Sequence, residues 1–299
     1  MKRLPLLLAL LTLLISTHAF AQYNRVAGQS APRAQVSETY LDDDGVRRER
    51  VVEREPQRDQ YGNANGTQFD LAVDGAFEGQ TVTVIQLYQF PFEDARAALK
   101  QKGFGVYRFN GAPSVDELKK ALKKSCQLWV ISDMNQHLTD EHIKVIKGFF
   151  DEGHGVYIWG DNQPYYADAN RIGIALLDAS MLGDTMGDTV VGMKEKTSDK
   201  AGIVPNLLLS TGIEQIYEGI TIATIQPNDA LQPLIYGSAG NLVTAFYDHG
   251  GKRAIFDGGF TRLYNKWDTA GTGRYVKNAA AWLANAERFG EIVATKKKD

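Results

Sequence analysis

Groups able to do chemistry are densest at Gly160-Asp161-Asn162-Gln163-Pro164-Tyr165-Tyr166-Ala167-Asp168-Ala169-Asn170. The apolar run Val156-Tyr157-Ile158-Trp159 precedes them and a helix-like segment follows. Carboxylates, amides and phenols therefore sit on a strand-to-helix turn, where open α/β sheets place binding and reacting groups. The turn holds no Ser, Thr or Cys. Three chemistries fit it. In the first, Asp161, Asn162 and Asp168 hydrogen-bond a polar ligand while Tyr165 and Tyr166 offer flat faces; helix capping by Asp161 or Asn162, with Pro164 in the first turn, is compatible with this. In the second, Asp161, Asp168, Asp184 and Asp188 give oxygens to a hard cation. No EF-hand spacing is present, however, and Gly183-Asp184-Thr185-Met186-Gly187-Asp188 reads as a solvated loop, so no metal is expected. In the third, Asp161 works with His137 in a hydrolase. Ser132-Asp133 and His249 are lesser candidates.

A second polar group comprises Asp257, Thr261, Arg262, Asp268 and Arg274. Arg262 could receive an anionic ligand or pair with an acid such as Asp161, and a structural salt bridge is the better expectation. No Gly-x-Gly-x-x-Gly opens a helix, no Gly-Lys-Ser/Thr occurs and no Cys/His metal spacing exists, so no cofactor is expected. The net charge is -3 with the signs interspersed, which gives no general pull towards nucleic acid.

The elements that must position these groups alternate. Residues 81–87 are β-branched and read as a strand, 93–102 as a helix, 105–109 as a strand, and 115–124 as a helix capped by Ser114 with Glu117 at the capping-box position. A strand over 128–132, a helix over 140–151 capped by Thr139, and a strand over 156–159 continue the pattern. Such succession yields a parallel sheet with helices on both faces. The loops 89–92, 110–114, 133–138 and 161–166 then open on one edge around a common crevice. Residues 178–232 break the alternation and are expected as an irregular rim. Runs at 233–237, 242–247 and 253–256 follow, the last two forming an antiparallel hairpin, and a helix spans 271–286. The predicted fold class is α/β, a three-layer sandwich with a mostly parallel, flavodoxin-like central sheet, a C-terminal antiparallel hairpin and a disordered N-terminal arm.

Lys2 and Arg3, the apolar run 4–15 and Ala19-Phe20-Ala21 form a secretory signal pattern with cleavage after Ala21. About 12 apolar residues fall short of the ~20 that span a bilayer, and no transmembrane segment is expected after cleavage. Periplasmic or secreted localisation follows. Cys126 is the only cysteine, which excludes an internal disulfide, and it reads as a small buried hydrophobe. Residues 22–75 are polar and are expected as a disordered linker. Residues 76–288 form the domain and 289–299 a basic tail.

The strand-helix succession, the turn at 157–170 and Asp257-Gly258-Gly259 followed by the helix around Arg274-Tyr275-Val276-Lys277-Asn278-Ala279 resemble the class I glutamine amidotransferase-like superfamily over roughly residues 79–287. In active members the turn carries a Cys nucleophile in Gly-x-Cys-x-Gly, supported by a His and an acid near the last strands. Here Gly160 is retained, Asp161 or Asn162 stands at the thiol position, and the strand ending at Phe256 leads into Asp257-Gly258-Gly259 without a His-x-Glu pair. The resemblance thus implies a member that lacks the nucleophile, and amidotransfer is not expected.

The expected function is an exported, non-catalytic binding or scaffolding protein that uses the crevice around Asp161. Its ligand-binding residues would be Asp161, Asn162, Tyr165, Tyr166, Asp168, Asp257 and Arg262. A hydrolase using Asp161 with His137, and a partner-binding protein using the N-terminal arm, are the alternatives. The expected partner is a polar small molecule or an envelope protein.

Overall fold

The computed structural model describes residues 22–24, 27–28, 33–193, 201–267, 271–289 and 294–295. The signal pattern over 1–21, the charged loop 194–200 and Asp268 lie outside them. The central sheet has eight strands: β1 (Thr81–Gln86), β2 (Gly105–Asn110), β3 (Gln127–Ile131), β4 (Gly155–Trp159), β5 (Gly202–Ile203), β6 (Gln232–Tyr236), β7 (Leu242–His249) and β8 (Lys252–Asp257). Their order is β5-β6-β7-β8-β4-β3-β1-β2. From β2 through β1, β3 and β4 to β8 every pairing is parallel, while β5, β6 and β7 add antiparallel strands beyond β8. Every residue of β3 and β4 is buried, as continuous apolar runs covered on both faces require.

Five helices connect and cover the sheet: α1 (Glu93–Gln101), α2 (Val115–Leu122), α3 (Asp140–Asp151), α4 (Ala167–Leu177) and α5 (Thr272–Leu283). The two-residue period of the strands sorts their side chains between two cores. Trp129, Ile131, Tyr157 and Trp159 pack with Leu99 of α1 and Val276 of α5. Leu128, Val130, Val156 and Ile158 pack with Leu118 of α2, Ile146 of α3 and Ile172 of α4. Helices therefore form a layer on each side, as the alternation predicts. The Ser114 capping box is present: the Glu117 N–H donates to Ser114 Oγ at 3.3 Å, and the Ser114 N–H donates to Glu117 Oε2 at 2.9 Å. Among the described residues no helix is long and apolar enough to cross a membrane.

The rim over 178–232 is more regular than its sequence suggests. Met181–Met186 pairs antiparallel with Thr221–Ile225, and Val190–Gly192 with Gln215–Tyr217. Cys126 is half-buried, with Sγ 3.3 Å from the Thr81 carbonyl oxygen. At the tail, Ala294–Thr295 pairs in parallel with Gln22–Tyr23.

The N-terminal arm departs from the linker expectation over its described residues. Ala34–Leu41 and Arg47–Arg54 form a hairpin in register from Ala34↔Arg54 to Leu41↔Arg47. Asp42 closes its turn by accepting the Val46 and Asp44 amides, and Glu38 pairs across the strands with Arg50 and Arg54. Beyond the hairpin, Phe69, Leu71 and Ala72 are buried in the core. Asp70 is fully buried and meets Lys102 at 2.8 Å, Lys277 at 2.9 Å and Arg274 at 2.8 Å. Burial alone would raise its pKa, but Lys277, Lys102 and Arg274 outweigh it and hold the carboxyl below its ordinary value. The packed unit therefore starts before residue 76. The short run around Phe69 has no periodicity to announce it, and its charge is neutralised by groups far along the chain.

Candidate functional site

β4 ends at Trp159, and Gly160 then runs against the turn after β8. Its N–H donates to the Asp257 carbonyl at 2.8 Å and its own carbonyl accepts the Phe260 N–H at 3.0 Å. A Cβ here would lie 2.5 Å from Met181 Sδ and 3.0 Å from Tyr166 Cβ, so the close approach calls for glycine. Asp161 follows, only 1% exposed. Its Oδ1 accepts the Asn162 N–H at 2.9 Å and its Oδ2 the Thr261 N–H at 2.8 Å. Burial drives the carboxyl up to about 7, against the pull of those amides and of Arg262. The chain then doubles back: the Tyr165 N–H donates to the Asn162 carbonyl at 2.8 Å, and Asn162 Oδ1 accepts the Thr221 hydroxyl at 2.9 Å.

These residues wall a cavity of about 210 Å³. Asp161, Asn162 and Tyr165 come from the turn after β4 and Tyr88 from the loop after β1. Ile220 and Thr221 come from the rim, and Phe260, Thr261 and Tyr264 from the segment after β8. Tyr165 stands edge-on to Tyr88 (centroids 5.2 Å apart, planes at 70°) and to Phe260 (6.3 Å, 83°), while Tyr88 stacks on Phe260 at 5.2 Å. Tyr264 leans on Phe90 at 4.6 Å. Burial and the nearby Asp161 push the Tyr264 phenol up to about 12. A larger hollow of about 450 Å³ lies between α2 and α3 beside His154, where strands begin. The Asp161 cavity is the one at the carboxyl ends of β1, β4 and β8, where sheets of this kind take ligands.

Of the seven expected ligand-binding residues, Asp161, Asn162 and Tyr165 line the cavity. Tyr166 turns away and packs with the core under α4. Asp168 is fully buried and accepts the His137 N–H at 2.7 Å and the Leu138 N–H at 3.2 Å, so it shapes the loop after β3. Asp257 and Arg262, both fully buried, pair with each other at 3.1 Å beneath the site. Asp257 also accepts the hydroxyls of Tyr275 at 3.0 Å and Tyr157 at 3.2 Å and the Gly259 N–H at 3.1 Å. Arg262 donates to the Glu218 carbonyl at 2.9 Å. Burial raises the Asp257 carboxyl against the pull of Arg262. Arg262 thus takes Asp257 rather than Asp161, and Arg274 takes Asp70.

The Asp161–His137 pairing is not assembled. His137 is exposed, its Nε2 lies 2.8 Å from Asp133 Oδ2, and it does not line the cavity. Ser132 Oγ instead accepts the Asp168 and Ala169 amides, each at 3.1 Å, and caps α4 from β3. His249 is exposed at the end of β7. Asp184 is exposed on the Met181–Met186 strand, and Asp188 is held by the Tyr217 hydroxyl at 2.8 Å and Lys266 at 3.1 Å. Among the described residues no three His, Cys, Asp or Glu side chains gather as a metal-holding group. Sequence reasoning missed Tyr88, Thr221, Phe260 and Tyr264 as lining groups. The first was findable, because the loop after β1 was expected at the crevice and Tyr88-Gln89-Phe90-Pro91-Phe92 is dense in aromatic residues.

No family model matches this chain and no curated protein matches it in sequence. Solved structures of similar fold include a GMP synthase-type protein of Thermoplasma acidophilum, at 9% identity and TM-score 0.42 over 71% of this chain and 98% of that one. A ThuA-like protein of Bacteroides uniformis aligns at 8% identity and TM-score 0.44, over 69% and 91%. The exo-β-1,4-mannosidase Op5Man5 of an Opitutaceae bacterium aligns at 13% identity and TM-score 0.39, and there this chain spans 37% of the longer protein. At these values no residue's role is carried across.

Proposed function

We propose that this chain is an exported binding protein, an amidotransferase-like domain without the nucleophile, that holds a small polar ligand at Asp161 without turning it over. One observation carries this reading. Among the described residues a single carboxyl lines the cavity, buried, with each of its oxygens fixed by a main-chain amide, amid aromatic rings and hydroxyls. None of the described residues lining the cavity is a histidine, cysteine or lysine. Such a wall orients a ligand, but it offers no base-activated nucleophile.

A thermal-shift screen of small polar molecules tests this. Ligands should raise Tm in the wild type and not in Asp161→Asn, with no turnover of ester, amide or glycoside substrates. Turnover abolished by Asp161→Asn would overturn it.

A second reading, partner binding through the arm, is favoured by the Ala34–Leu41/Arg47–Arg54 hairpin. Its residues are mostly exposed, including Val36, Leu41, Val46 and Val51, and its two strands form a sheet with no third strand among the described residues. An isolated two-stranded hairpin is marginal in water, which gives a partner strand something to stabilise.

A further inference from the structure

Building on the binding role of the Asp161 cavity, we infer that its ligand is a small alkylammonium cation. The charge of the lining points there first. Among the described residues Asp161 is the one carboxylic acid in the wall, and no lysine, arginine or histidine joins it. The nearby guanidinium of Arg262 is spent on Asp257, the Glu218 carbonyl and Thr244. An anionic ligand would face a carboxylate with no cation to receive it. A cation would find an acid that makes no ion pair among the described residues and that keeps a lone pair on each oxygen beyond the amide it already accepts.

The rings point the same way. Tyr88, Tyr165 and Phe260 meet face to face and edge to face around the carboxyl, and Tyr264 closes the mouth at 36% exposure. Ring faces attract an ammonium group most strongly where water is excluded. Neutral polyols are served less well. The Thr221 hydroxyl is committed to Asn162, and Thr261 Oγ1 accepts the Ile220 N–H at 3.1 Å, which uses part of the polar capacity a sugar would need. The cavity's 210 Å³ is below the range for drug-sized ligands and suits a head group of a few heavy atoms. The raised Asp161 adds a signature: a cation binds the ionised carboxyl, so below pH 7 it must displace a proton. Arg262, already paired, and Tyr264, raised to about 12, hold their charge states across that range.

The experiment is a calorimetric titration of the full chain with tetramethylammonium chloride, with sodium chloride, glucose and sodium acetate as parallel arms. Tetramethylammonium should bind saturably, about tenfold more weakly in Asp161→Asn, and more weakly in Tyr264→Ala, whose exposed ring can go without unfolding the chain. Affinity should fall as pH drops below 7 in the wild type and stay level in Asp161→Asn. Absence of saturable tetramethylammonium binding, or binding indifferent to Asp161→Asn, overturns the cation assignment. Glucose binding that depends on Asp161 would overturn it too, while leaving the binding role intact.

Discussion

Asp161 Oδ2 accepts the main-chain N–H of Thr261 at 2.8 Å, joining two turns one hundred residues apart in the chain across a single cavity. The same carboxyl is fastener and wall, and that double duty shapes the predictions that concern it.

The first is a pH dependence of stability. The folded carboxyl titrates at about 7 against an ordinary 3.8. Between those values the folded state keeps a proton that the unfolded state has lost. The stability contributed by Asp161 is therefore full below pH 4 and lost as pH rises through 7. Asp161→Asn removes this dependence but forfeits one amide bond, about 1 kcal/mol. Urea denaturation at pH 5 and pH 8 should show the variant gaining on the wild type by on the order of 2 kcal/mol at the higher pH.

The opposite sign is expected of Asp70, whose carboxyl its three cations hold below the ordinary value. Its contribution is present above pH 4 and lost as pH falls through the lowered value. Asp70→Asn should destabilise at pH 7 and converge on the wild type at pH 3. Amide exchange should quicken first at Leu71, whose N–H donates to Asn278 Oδ1 at 2.7 Å beside this cluster.

Arg262→Met strands a buried carboxylate. It should cost about 3–5 kcal/mol in chemical denaturation, and adding Asp257→Asn should recover part of that loss.

Gly160→Ala places a methyl against Met181 and Tyr166. Overpacking of this kind costs about 1–3 kcal/mol, and the displaced turn should weaken ligand binding more than a distant substitution of equal cost.

Deleting residues 35–54 removes a hairpin that pairs only with itself in the described sheets. Tm and binding at the Asp161 cavity should be unchanged, while any partner captured through the arm should be lost. Calorimetry and co-sedimentation measure the two.

The sheet was legible because its buried strands are written as unbroken apolar runs, 128–131 and 156–159, and its helices carry local stop and start signals such as Ser114 with Glu117. The edge that would hold the crevice was legible from the alternation alone. What could not be read was partner choice over long separations. Nothing local tells Arg262 to take Asp257 instead of Asp161, or Arg274 to take Asp70 across 204 positions. Tyr165 and Tyr166 are the same residue in adjacent positions, and only the turn geometry sends one into the cavity and the other beneath α4. The arm misled because its buried part is a few residues long and lies among charges.

The placement of β8 beside β4 also sets a clock. As the chain leaves the ribosome, β1 to β4 with their helices can assemble early, yet one edge of β4 stays bare until residues 252–257 are made. The cavity gains its second wall only once Phe260 and Thr261 have emerged. A nascent chain stopped short of them would be a half-sheet with an unpaired, fully apolar strand and no place to bind, a natural client for a holding chaperone.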